Sequence, residues 1–109
     1  MSLRDLNTEV TQAILEAEGL EHYDLASPNT MAAWAKVSEV EEQLGDRAET
    51  ATERNIARRG SITAALKAGD ANRARALLYR YEDNPEFDKK SNQEMRDVIT
   101  NPNLLYAHE

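Results

Sequence analysis

Between Leu3 and Ile99 the apolar residues of this chain fall into separate stripes of three-and-four spacing, and no segment sustains the alternation that a strand requires. That periodicity points to helices packed side by side. Leu3, Leu6, Val10, Ala13 or Ile14, Ala17 and Leu20 form the first stripe, with Ser2 as its cap, Asp5 in the first turn and Gly19 near its end. Residues 21–26 read as a connection.

Ser27-Pro28 opens a second helix, because a serine cap and a proline at the first helical position satisfy two end requirements together. Met31, Trp34, Val37, Val40 or Glu41, and Leu44 continue one face. Gly45 either stops this helix or lies inside a longer one, at a cost of about 1 kcal/mol relative to alanine. Residues 47–55 offer only Ala48 and Ala51 to a core, which predicts a solvated helix. Arg58-Arg59-Gly60 has the form of a helix C-terminus, Ser61 that of a cap for a short helix over 62–68, and Gly69-Asp70 that of a turn and the next cap. The following helix, 71–82, places Ala71, Ala74, Leu77, Leu78 and Tyr81 on one side and ends before Pro85. Ser91-Asn92-Gln93-Glu94 reads as a capping box ahead of Met95, Val98 and Ile99, and Asn101-Pro102 closes that helix. Leu104, Leu105 and Tyr106 predict a tail that docks. The expected fold is a single all-α domain over 1–109, with five or six helices in a small bundle or helical-hairpin array and one long second helix allowed.

The apolar residues number 16 alanines against 28 larger ones, so the core is thin for its length. Close helix packing through small side chains or burial against a second copy would compensate, which makes a homo-oligomer one expectation. The chain has no cysteine, which excludes disulfides, thiolate metal sites and cysteine nucleophiles and favours the cytoplasm. The first residues lack a secretory apolar stretch, and no apolar run approaches the ~20 residues that span a bilayer, so no membrane partner is expected.

Charge is distributed unevenly. Residues 1–53 carry a net −9 and residues 81–109 a net −4, whereas residues 54–80 carry +6 within a total of −7. The positive segment holds Arg54, Arg58, Arg59, Lys67, Arg73, Arg75 and Arg80, with Tyr79 beside them, against Asp70 alone. Either these bases pair with the Glu-rich second helix, or the hairpin meets an anionic partner. Arg73 and Arg80 share a helix face, as do Arg54 and Arg58, so clustering is geometrically open. The acidic remainder weakens long-range attraction to nucleic acid, which favours a protein partner.

Residues 64–78, Ala-Ala-Leu-Lys-Ala-Gly-Asp-Ala-Asn-Arg-Ala-Arg-Ala-Leu-Leu, closed by Pro85, resemble the hairpin of a tetratricopeptide repeat over about a quarter of the chain, without a second copy at the family's ~34-residue period. Ile56 to Ala64 has the outline of a helix-turn-helix, but its second helix offers one base, Lys67, and few groups suited to base edges. Glu39 and Glu42 resemble the E-x-x-E pair of all-α nucleotide pyrophosphohydrolases of the MazG kind, which would imply Mg²⁺. The second acidic segment, residues 94–97, stands about fifty positions on, so an exposed acidic face accounts better for the pair. Asp83 and Glu94 have calcium-loop spacing, yet Pro85 and Phe87 sit at ligand positions. His22 and His108 have no neighbouring ligand set. With neither cofactor nor metal indicated, the sequence leads to a non-enzymatic protein–protein interaction module, such as an adaptor, inhibitor or small structural subunit. The alternatives are a nucleic-acid-associated protein contacting phosphates through 54–80, and a Mg²⁺-dependent hydrolase.

Overall fold

Serine, threonine and aspartate caps start every helix. The computed structural model describes residues 2–106. In it α1 spans Leu3–Tyr23, α2 Pro28–Arg47, α3 Ala51–Lys67, α4 Ala71–Tyr81 and α5 Lys89–Thr100, followed by a 3₁₀ turn at Pro102–Tyr106. Ser2, Ser27, Thr50, Asp70 and Asp88 each accept a hydrogen bond from the backbone N–H three residues on. Each such cap contributes about 1 kcal/mol.

Four boundaries differ from the sequence expectation. The helix does not end at Gly60, nor does Ser61 start another: both lie inside α3. Ser61 is fully buried and its hydroxyl donates to the Arg58 carbonyl at 2.7 Å, the back-bonding available to a serine within a helix. The break comes earlier, at residues 48–50, where Ala48 is buried and Thr50 caps α3. Residues 47–55 are therefore not one solvated helix: a corner at 48–50 separates the end of α2 from the exposed first residues of α3, and the turn that a helix-turn-helix needs near Gly60 does not exist. At α5 the cap is Asp88, while Ser91 is buried one turn in and Glu94 meets Arg59 and Lys90 instead of closing a capping box. The second helix is long, continuing through Gly45, and α1 runs on to Tyr23 and is longer by one residue.

The architecture is all-α, with α3 shared between two apolar clusters. Val10, Ala13 and Ala17 of α1, Trp34, Val37 and Val40 of α2, and Ala64 of α3 form one. Ile62 and Ala65 of α3, Ala74, Leu77, Leu78 and Tyr81 of α4, Phe87, and Met95 of α5 form the other. Met31 lies outside the first cluster, exposed beside Gly69, which has φ +79° in the α3–α4 turn. The radius of gyration, 13.3 Å, matches the ~13 Å of a packed domain this long, so the helices form a bundle and not an extended array.

Small residues bring α2 against α3. Ser38 donates to the Ser61 carbonyl at 2.7 Å, and a Cβ on Gly45 would stand 3.1 Å from Arg58 Cγ. This close approach offsets part of the thin core through dispersion contacts over a long interface. The tail turn packs against α5, and the Tyr106 ring lies 5.4 Å from Lys67 Nζ. Among the described residues no helix is long and apolar enough to cross a membrane.

Candidate interaction surface

The seven bases of residues 54–80 fall on two successive helices, and the fold turns six of them toward the chain's own carboxylates. Arg54 grips Glu86 with Nε at 2.9 Å and Nη2 at 2.5 Å, while its Nη1 donates to the Ala48 carbonyl at 3.0 Å. Arg58, buried, reaches the same carboxylate at 3.2 Å. The hydrogen bonds from Arg54, joined by those from Arg58, hold Glu86 down at about 2 against some opposing desolvation. Arg59 meets Glu94 at 3.5 Å. Lys67 faces Glu21 at 3.9 Å and lies 4.4 Å above the Trp34 ring.

Arg73 and Arg80 do cluster, as their spacing implies, and they cluster on Glu42. Arg73 donates to Glu42 at 2.7 Å and to Ser38 Oγ at 2.9 Å, and Arg80 bonds both Glu42 and Asp46. Acids of α2 and of the 82–88 connection thus neutralise most of the positive segment, and the α2 pairs are those that the first of the two readings of the charge map expects.

Arg75 and Tyr79 are different. Arg75 is exposed and contacts only Asn72 Oδ1, at 2.5 Å, with no carboxylate partner among the described residues. Tyr79, one turn on, is 78% exposed. Both line a groove of about 370 Å³ whose walls are Leu78 and Tyr79 of α4 and Ile99 of α5, bridged by an Arg96–Glu82 pair at 3.1 Å. Sequence reasoning missed the α5 wall, because only the packing of α5 against α4 brings Arg96 and Ile99 there.

Of the E-x-x-E pair, Glu42 is engaged by two arginines and Glu39 is exposed. Among the described residues no three His, Asp or Glu side chains gather as a metal site would require. His22 is exposed on the last turn of α1, and His108 lies outside the described residues. Comparison with family models, with curated proteins and with solved structures finds no match to this chain.

Proposed function

We propose that this protein is a protein-binding module that receives an amphipathic partner helix in the α4–α5 groove. The observation that carries this reading is the pairing of an apolar floor, Leu78 and Ile99, with two groups held ready at the rim, the exposed Tyr79 and the uncommitted Arg75. A helix laying apolar side chains along the groove, with an Asp or Glu opposite Arg75, satisfies both chemistries. Tyrosine and arginine are the side chains that most often dominate such contacts. The six other bases support this reading less directly, since a phosphate backbone would have to displace Glu42, Asp46 or Glu86 from them.

A photo-crosslinking phenylalanine placed at Tyr79 tests it in the cells that make the protein. The expected product is one discrete adduct whose linked peptide, mapped by mass spectrometry, is an amphipathic helix bearing a carboxylate. Arg75→Glu should abolish that adduct, and the same probe at exposed Thr52 should not form it. Absence of an adduct at position 79, or an adduct to a second copy of this chain, overturns the proposal.

A further inference from the structure

The carboxylates of α2 are treated unequally. Glu42 and Asp46 are held by arginines, whereas Glu41, only 8% exposed, receives no hydrogen bond or ion pair among the described residues. Burial alone pushes its carboxyl up to about 7. An unpaired buried acid of this kind lowers stability, and the chain adds a second cost by keeping Gly60 in the middle of α3, where the Glu41 carboxylate fills the place of a Cβ. Local rules broken without a structural return mark functional positions.

Glu41 also lines a cleft of about 180 Å³ at the α1–α2–α3 junction. Its walls are apolar, from Leu44, Ala48 and the 55%-exposed Ile56. Its polar groups are Glu41, Glu53 and Asn7, and among the described residues no lysine or arginine lines it. Glu53 of α3 and Asn7 of α1 line the same cleft as Glu41, while Arg58 of α3 packs its Cγ toward Gly45 and gives its guanidinium to Glu86. The cleft therefore offers hydrogen-bond acceptors and negative charge at an apolar recess.

We infer that this cleft is a binding site for a primary alkylammonium group, the chemistry shared by a free amine and by a lysine side chain of another protein. The ammonium sits on Glu41, with Glu53 and the Asn7 carbonyl completing its three hydrogen bonds, and the methylene chain lies against Leu44, Ala48 and Ile56.

n-Butylamine, Nα-acetyl-lysine amide and the neutral control n-butanol, titrated into the full chain and followed by NMR, test the site. Butylamine should shift the amides of residues 41, 44, 53 and 56 saturably, and butanol should not. Because the charged form of Glu41 is the one that binds, affinity should be about tenfold tighter at pH 8 than at pH 6, and saturating amine should pull the Glu41 titration downward. Glu41→Gln should lose at least tenfold in affinity and Glu53→Gln only a few-fold. The acetyl-lysine amide arm assigns the source: tighter binding than butylamine indicates a partner's lysine, weaker binding a free amine. Equal binding of butanol, unchanged affinity in Glu41→Gln, or an unmoved Glu41 titration in the wild-type chain overturns the inference.

Discussion

The Glu41 carboxylate occupies the space that a side chain at position 60 would fill: a Cβ there would lie 2.8 Å from Glu41 Cδ and closer still to Oε2. The obstructing atoms are the far end of a flexible side chain with a cleft alongside, so a methyl group at position 60 expels them rather than parting the helices. Gly60→Ala then gains about 1 kcal/mol of helix propensity and relieves a buried charge. The variant should be at least as stable as the wild type above pH 7 by urea denaturation. Its residue-41 carboxyl, followed by ¹³C NMR, should titrate well below its wild-type value of about 7 and toward the ordinary 4.5. A destabilised variant with an unmoved titration would show that the helices separate instead.

The same residue sets a pH dependence. Below 4.5 the Glu41 carboxyl holds its proton in both the folded and unfolded chains and leaves stability unchanged. As pH rises from 4.5 to about 7 the unfolded chain releases that proton while the folded chain keeps it, so stability falls through this window and then levels off. The fall amounts to about 2 kcal/mol once partial access of water is allowed for. Glu41→Gln should remove this component, so that unfolding free energies of the two chains diverge across the window with the variant higher at pH 8. Parallel curves would refute the assignment.

Gly69 is fixed by backbone conformation and not by space. Its φ of +79° lies in the left-handed region, where a Cβ costs roughly 1–2 kcal/mol. The nearest atom to a Cβ there, Met31 Cε at 2.6 Å, is the far end of an exposed, unbranched side chain. Gly69→Ala should therefore destabilise the fold by about that 1–2 kcal/mol. Adding Met31→Ala should recover little of it, and a full recovery would place the cost in the contact instead.

These residues show what the sequence carries and what it does not. The stripes on α1 and α4, the Ser27-Pro28 start and the Gly69-Asp70 turn are local signals, and the structure follows them. Gly60 and Ser61 give the same local signals, yet Gly60 makes room for Glu41 across the α2–α3 interface, and Ser61 is buried at it, its hydroxyl donating within α3 and its carbonyl accepting from Ser38. The second stripe runs through Val40 or Glu41, and both are buried, which places a carboxylate beside the apolar face of α2. The charge map located the bases and, for Arg73 and Arg80, their partners on the second helix, but not Glu86, which sits 32 and 28 residues from the two arginines it joins. Phe87, in a connection without periodicity, is 2% exposed and packs 5.8 Å from the Tyr81 ring, a core position no stripe announces.

Glu86 binds the 82–88 connection to α3, since its carboxylate takes both Arg54 and Arg58 and its carbonyl accepts from Asn55. Removing the carboxylate leaves the buried Arg58 guanidinium without its counter-charge and frees the segment that carries Phe87 inward. Glu86→Gln should therefore lower Tm more than Asp46→Asn, whose pair with Arg80 has both side chains nearly half exposed. The sign of its pH dependence is opposite to that of Glu41. Glu86 is held down at about 2, so it contributes stability fully above 4.5 and loses that contribution as pH falls from 4.5 toward 2. Acid unfolding monitored by circular dichroism should show the wild type losing stability across that lower window, where Glu41 is silent, and Glu86→Gln lacking that component. An equal acid loss in both chains would mean that the Glu86 pairs with Arg54 and Arg58 are not what the folded chain gains there.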